Sequence, residues 1–578
     1  MPEEAIAGDL ALACCSVLVS ELLEGGLGAA CVSPGSRSTP VALALARSAG
    51  VPVHVHLDER SSAFFALGLA RATGRPVAVV CTSGTAVPNL FPAVVEAAMS
   101  HAPLVLLTAD RPPELRGVGA NQTIDQVGMF GAYARFAADA PVPEAGAGPF
   151  WRSLGARAVA EAAGPPPGPV HLNLPFREPL VPTGTPVDLG PDAPPRPSAA
   201  FGEGPDEEVV ADVAGLLLRH ERSVVLAGGL APAPPDRGEA TASFETLGRW
   251  PVLAEPHAEA ALRRPALALA AGQHLLSDPA FVRANPPEVV LQVGAPPTSR
   301  AGQALAALAG TLVVVAAEAG RSDPSGRPAR HVDADPRAFL RALARSLPPP
   351  ARTEWAGRWR QADRAARAAV DAVLDGNDEP FEGRVARDLF AAMPDGSTLF
   401  AGSSMPIRDL DAYALPRAGG SVRVMANRGA SGIDGSVSTV LGIAASGAPT
   451  FGLIGDLALL HDAAGLLWAA RRGRPAVFVV PNNRGGGIFD LLPQAALPEH
   501  EDLFVTPHRI DLSALATAAG AGHSTVYRGV DLPGAVRRAA MEDTVHVVEV
   551  PIDRAAGIRF RLEVREAVRT ALAGIGYP

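Results

Sequence analysis

The 578 residues include no lysine; all 50 basic residues are arginine. That excludes a Schiff-base lysine for pyridoxal phosphate, a class I aldolase lysine and a Walker A lysine. It leaves arginine as the only fixed cation, one suited to planar carboxylates and phosphates; a codon bias toward arginine, alanine and glycine is the plain alternative. No apolar run approaches the roughly 20 residues of a membrane-spanning helix, so no membrane span is expected. The acidic start, "MPEEAIAGDL", lacks the positive charge of a secretory signal. The four cysteines (Cys14, Cys15, Cys31, Cys81) have no metal-ligand spacing and read as buried thiols of a reducing compartment. No basic cluster offsets the net charge of −10, so nucleic acid is not an expected partner. A cytoplasmic location is expected.

What is present is an apolar fraction of 48% with 19% charged residues, the balance of a globular enzyme-sized chain too long for one core. Short β-branched runs alternate with alanine- and leucine-rich stretches, the pattern of parallel α/β sheets. Strands are expected at 28–33, 52–57, 76–82, 103–109 and 169–174, then at 223–228, 251–254, 288–294 and 311–317. A third set is expected at 397–402, 422–425, 450–455, 475–480 and 544–550. Proline-rich stretches at 181–200 and 347–353 separate the sets. The reading is three doubly wound α/β domains, at 1–182, 200–350 and 370–578.

The segment "TFGLIGDLALLHDAAGLLWAARRGRPAVFVVPNNRGGGIF", 450–489, carries the strongest chemical pattern. It reads as strand, Gly455-Asp456, a helix at about 461–472, strand, then Asn482-Asn483 and a glycine run. A right-handed crossover makes the two strands parallel, so Asp456 and Asn483 face one crevice at the carboxyl edge of the sheet. A carboxylate, an amide oxygen and a carbonyl from the glycine loop are the hard oxygen ligands that Mg2+ (or Mn2+) takes together with a diphosphate. A turn aspartate with Asx-turn asparagines is the alternative. In the first set, "HLDER" places Asp58, Glu59 and Arg60 at a strand–helix junction, where the macrodipole favours an acid whatever its role. "CVSPGSRSTP", 31–40, reads as strand, turn and helix. Thr39 is the expected cap, Pro40 stands in the first turn, and Arg37 between Ser36 and Ser38 is able to receive an anion. His54, His56 and His461 read as structural.

"GD" followed 26 and 27 positions later by "NN" resembles the motif of the thiamine-diphosphate-dependent enzyme superfamily, with Leu457 standing where the family usually has glycine. The resemblance implies thiamine diphosphate as cofactor, with Asp456, Asn483 and Gly485 as the Mg2+ or Mn2+ ligands. It implies that Glu59 bonds the aminopyrimidine N1′ and drives removal of the thiazolium C2 proton. It also implies a homodimer or a dimer of dimers with active sites at the subunit interface. "CVSPGSRSTP", "LDER", "CTSGTAVPNLFPAVVEA", "LLTADRPPELRGVGANQTIDQVGMFG" and "NRGASGIDG" together resemble one branch of that superfamily. That branch is the 2-succinyl-5-enolpyruvyl-6-hydroxy-3-cyclohexene-1-carboxylate synthases of menaquinone biosynthesis.

The branch implies two substrates, 2-oxoglutarate and isochorismate, each with two carboxylates for arginines to hold. By resemblance, Arg408 and Arg428 hold the 2-oxoglutarate chain, and Ser36, Arg37 and Arg111 lie on the isochorismate side with Gln122 as a polar contact. Arg300, in "PPTSR", is a further candidate cation for the substrate carboxylates, with Ser299 where some relatives carry a second cation, a departure that bears on how the middle domain closes over isochorismate. Ser404 sits beside the reacting centre, Ile433 supports the bent cofactor, and Ile488, Phe489 and Leu492 form its apolar wall. Three other readings stay open. One is an acetolactate-synthase-like carboligase, which needs fewer arginines. Another is a non-catalytic binding module. The last, a flavin or nicotinamide protein using glycines 485–487, lacks G-x-G-x-x-G after a strand.

Overall fold

A computed structural model of the chain describes residues 7–190, 204–231, 244–325, 329–351, 353–417, 422–469 and 474–577. Three parallel sheets organise them. The first, in the order β2-β1-β3-β4-β6-β5, is built from β1 (Ala29–Val32), β2 (Val53–Val55), β3 (Val77–Cys81), β4 (Leu104–Asp110), β5 (Phe136–Asp139) and β6 (Val170–Pro175). The second, β11-β10-β9-β7-β8, contains β7 (Ser223–Ala227), β8 (Val252–Ala254), β9 (Val289–Val293), β10 (Thr311–Ala316) and β11 (Arg330–Asp333). The third contains β12 (Thr398–Ala401), β13 (Arg423–Met425), β14 (Thr450–Leu453), β15 (Val477–Asn482), β16 (Gly522–Thr525) and β17 (His546–Pro551). Its order, β13-β12-β14-β15-β17-β16, repeats that of the first sheet. The expected class, three doubly wound parallel-sheet units, is the observed one.

Every residue of β3, β4, β6, β7, β9 and β15 is buried, because helices cover both faces of each sheet. The sequence pattern misses β5, β11 and β16. Each is a four-residue edge strand with a half-exposed face, too short and too mixed to show a strand signal. Of the expected linker, 181–190 has no regular element and 191–200 lies outside the described residues.

The helices Glu59–Thr73 and Ser436–Ala445 pack between the first and third sheets of the same chain. All twelve residues from Ser61 to Ala72 are buried, as expected of a helix covered on every side. Glycines allow the two backbones to meet. A Cβ on Gly68 would lie 2.2 Å from the Thr439 carbonyl oxygen, and one on Gly442 would lie 2.0 Å from that of Phe65. Gly68→Val is therefore expected to destabilise the protein by about 3 kcal/mol, read as a lower urea midpoint. Gly357→Ala, on a helix where an added Cβ meets nothing within 4 Å, is expected to leave the midpoint unchanged or raise it.

Candidate functional site

β14 and β15 are hydrogen-bonded neighbours, so the turns that follow them share one edge. The helix after β14 starts at Asp456 itself rather than near 461, and runs to His461 before a second helix, Ala463–Ala469. The break falls at Asp462, whose buried carboxylate leaves the helical path to accept Ser438 N–H (2.6 Å) and Ser438 Oγ–H (3.0 Å). Residues 470–472 of the expected helix lie outside the described residues.

Asp456 accepts hydrogen bonds from Leu457 N–H (2.8 Å) and Gly485 N–H (2.9 Å), and His508 Nε2 lies 3.0 Å from its Oδ2. Burial pushes its carboxyl above the ordinary aspartate range, against the pull of these partners. Gly485 sits at φ +156°, and a Cβ there would come within 2.7 Å of the Val505 carbonyl oxygen, so only glycine fits. Its own carbonyl accepts Gly487 N–H and keeps one lone pair.

Asn483 settles whether these residues suit a hard cation. Its Nδ2 donates to Glu382 Oε1 (3.0 Å), which fixes the orientation of the amide. Glu382 is in turn paired with Arg561, and Arg561 with the buried Asp409. The amide oxygen that remains, Oδ1, is buried and has no hydrogen-bond partner. Such an atom is costly in a finished fold unless something else bonds it. Asp456, Asn483 Oδ1 and the Gly485 carbonyl thus form an oxygen set that fits a divalent cation. Asn482 plays a different part: its Nδ2 donates to Glu549, and its Oδ1 accepts Arg484 N–H in an Asx turn.

In the first sheet's domain, "LDER" is sorted by its contacts. Asp58 caps the helix Glu59–Thr73 by accepting Arg60 N–H, and also pairs with the Arg60 side chain. Glu59 takes no part in capping; its Oε2 accepts Asn89 Nδ2–H at 3.3 Å. Among the described residues Glu59 makes no hydrogen bond to the third sheet's domain. His54 and His56 both pack on Phe65, with centroids 4.9 and 4.5 Å away, and burial lowers the pKa of each.

The arginines fall into two groups. Arg111 donates to Ser83 Oγ, Gln122 Nε2 donates to the Ser83 carbonyl, and Arg37 is close enough to depress the pKa of Arg111. Arg37 is buried and already held by the Phe176 carbonyl and Glu178. Ser36 is exposed, and its carbonyl accepts the Thr39 hydroxyl. Thr39 therefore does not cap its helix: Ser38 holds the cap position, without a side-chain bond.

Arg300, Arg408 and Arg428 form the second group. Arg300 perturbs Arg408, and Arg408 perturbs Arg428, each lowering its neighbour's pKa by like charge in addition to burial. Among the described residues no carboxylate makes an ion pair with any of the three. Ser404 precedes the helix Met405–Tyr413 at φ 72°, ψ −127°, a strained position for a non-glycine residue, and its carbonyl accepts from Arg408 Nη1. Ser299 caps the helix Arg300–Leu308 by accepting Gly302 N–H at its Oγ, a structural role. Arg300 faces Leu492, Pro493 and Leu497 across a cleft. Ile488 and Phe489 lie in the short turn Gly487–Leu491, with Phe489 5.7 Å from Phe504, and Ile433 packs on the core between the sheets.

Sequence reasoning missed His508, Glu382, Arg561 and Asn89. Each lies outside the motif whose residue it contacts, and only long-range folding brings the pairs together.

Two family descriptions match the chain: "Thiamine pyrophosphate enzyme, N-terminal TPP binding domain" over residues 15–129, and the corresponding C-terminal TPP binding domain over 414–550. The chain is 46% identical to the 2-succinyl-5-enolpyruvyl-6-hydroxy-3-cyclohexene-1-carboxylate synthase of Thermobifida fusca (strain YX), across 96% of this chain and 98% of that one. It is 43% identical to the synthase of the same name from Rubrobacter xylanophilus, across 95% and 96%. Its fold is similar to that of benzoylformate decarboxylase from Polynucleobacter necessarius, with a TM-score of 0.68 at 18% identity over 94% of this chain and 98% of that one.

Proposed function

Because the chain belongs to the 2-succinyl-5-enolpyruvyl-6-hydroxy-3-cyclohexene-1-carboxylate synthase family of thiamine-diphosphate enzymes, we propose how its residues divide that synthase's work. The reaction decarboxylates 2-oxoglutarate and adds the resulting four-carbon unit to isochorismate. Asp456, Asn483 Oδ1 and the Gly485 carbonyl would hold Mg2+ or Mn2+ against the cofactor's diphosphate. Bound thiamine diphosphate supplies a nucleophilic thiazolium carbon and an electron sink for the pair released with carbon dioxide. Glu59 holds and moves the proton at N1′. Ile433, Ile488, Phe489 and Leu492 keep water away from the reacting carbon.

The observation that carries the substrate assignment is the second arginine group. Arg408 is repelled by Arg300, and Arg428 by Arg408. Asp409, Glu255 and Glu96 offset part of that charge, but among the described residues no carboxylate forms an ion pair with any of the three, which leaves their direct contacts for carboxylates from outside. Arg408 and Arg428 hold 2-oxoglutarate, with Ser404 beside its reacting end. Arg300 closes on isochorismate, whose other side meets Ser36, Arg37, Arg111 and Gln122. Among the described residues no hydrogen bond joins Glu59 to Asp456 or Asn483, which favours a homodimer or dimer of dimers that shares each site. Among the described residues no helix is long and apolar enough to cross a membrane; the proposed location, from the reduced-thiol reading of the four cysteines, is the cytoplasm.

The test is turnover by purified protein with thiamine diphosphate and Mg2+, followed by mass spectrometry. The expected result is the synthase product and carbon dioxide from 2-oxoglutarate with isochorismate, and no reaction with pyruvate. Turnover of pyruvate alone would instead establish an acetolactate-synthase-like enzyme.

A further inference from the structure

Glu255 follows β8 at the carboxyl edge of the second sheet, and is buried. Both of its oxygens are occupied: Oε1 accepts Thr298 N–H at 2.5 Å, and Oε2 accepts the Thr298 hydroxyl at 3.3 Å. Thr298 leads directly into Ser299 and Arg300. The carboxylate is thus fixed in place, close enough to Arg408 and Arg428 to feel both and to contact neither.

The other charged or titratable groups facing it are His257, Asp411 and Arg263. His257 Nε2 lies 3.8 Å from Oε2, and burial and the surrounding arginines push its pKa down to about 3. Asp411 is half-buried, and its carboxyl is raised, first by loss of solvent around it and then by Glu255 itself; Arg263 is lowered by burial to about 10. Glu255, Asp411, Arg263 and Gln273 border a space of about 30 Å³, room for a water molecule or two and too little for an organic ligand.

We infer that Glu255 balances the charge of the arginine group: when a dicarboxylate enters beside Arg408 and Arg428, Glu255 takes up a proton from solvent. This rests on the reading that those arginines hold the dicarboxylate substrate. Before entry, burial raises the pKa of Glu255 to about 7; the two Thr298 hydrogen bonds oppose that rise first, and the Arg428 and Arg408 guanidinium groups add to the support of the charged form. The incoming negative charges cancel that support, and the buried anion becomes the neutral acid. The overall reaction also requires a proton: four substrate carboxylates become three in the product plus neutral carbon dioxide. A group loaded with a proton at substrate entry suits that balance.

The probe is glutarate, a dicarboxylate without the reactive oxo group, titrated calorimetrically into holoenzyme in buffers of differing ionisation enthalpy. Wild-type protein is expected to take up about half a proton per site near pH 7.5, and its affinity is expected to fall about threefold per pH unit above 7. Glu255→Gln, already neutral, is expected to bind glutarate with no proton uptake and a flat pH profile. Equal uptake in Glu255→Gln would assign the proton to Asp411 or His257 and overturn the inference. So would a wild-type affinity independent of pH, a measurement that stands even if the variant fails to fold. If glutarate does not bind wild-type protein at all, the arginine assignment fails, and the inference fails with it. If glutarate binds without proton uptake, only the inference fails.

Discussion

Asp456→Ala is expected to retain less than about a thousandth of wild-type activity at saturating thiamine diphosphate and Mg2+, and to lose cofactor-dependent stabilisation. A ligand present at a thousand times its Kd stabilises a protein by about 4 kcal/mol, so the absent shift is easily read in a denaturation curve. The substitution removes the only charged member of the Asp456, Asn483 and Gly485 oxygen set. It also leaves Gly485 N–H without its acceptor and His508 without its partner. A structural role alone predicts a lower midpoint in the absence of cofactor but an intact rise when cofactor is added. Removing the divalent ion from wild-type protein with a chelator is expected to reproduce the loss, and adding Mg2+ or Mn2+ to reverse it. Asp456→Ala protein that still gains stability from the cofactor would show that the carboxylate is not a ligand.

Glu59→Gln is expected to separate binding from chemistry. Glutamine matches glutamate in size and can still hydrogen-bond Asn89, but it neither accepts nor releases a proton. General acid–base groups contribute about 10²- to 10⁴-fold to rate. A fall of that size in kcat is expected, with cofactor affinity changed less than about tenfold. The competing explanation, an acid placed to stabilise a helix N-terminus, predicts a small loss of stability and unchanged turnover. The geometry makes these alternatives unequal, because the cap is Asp58 and not Glu59. Unchanged kcat in Glu59→Gln would remove this residue from the proton path.

In the proposed assignment the two substitutions probe opposite ends of one cofactor. Within a single chain, the buried helices Glu59–Thr73 and Ser436–Ala445 bind the first domain to the third. Yet among the described residues the side chain of Glu59 bonds to Asn89 of its own domain and to no residue of the third. The packing that holds the two domains together within a chain therefore does not depend on a hydrogen bond from Glu59.

What could be read from sequence was local. Strand–helix alternation set the three parallel sheets, because a buried parallel strand is a short apolar run whatever its neighbours. The separation of Asp456 from Asn483 placed them on adjacent strand ends, because a βαβ unit has one favoured hand. An all-arginine cation set pointed to carboxylates. The half-exposed edge strands β5, β11 and β16 were hidden because their pairing, rather than their composition, makes them strands.

Tertiary structure alone decided how those residues are used. Glu382, held by Arg561 and Asp409, turns the Asn483 amide so that its oxygen stays free. His508 reaches Asp456 from 52 positions away. Glu178 and the Phe176 carbonyl hold Arg37, and Thr298 holds Glu255 beside arginines of another domain. A sequence determines which chemical groups a chain carries and which of them lie one strand or one turn apart. The orientation of an amide and the charge felt by a buried carboxylate depend on atoms distant in the chain, and those are set only when the domains pack.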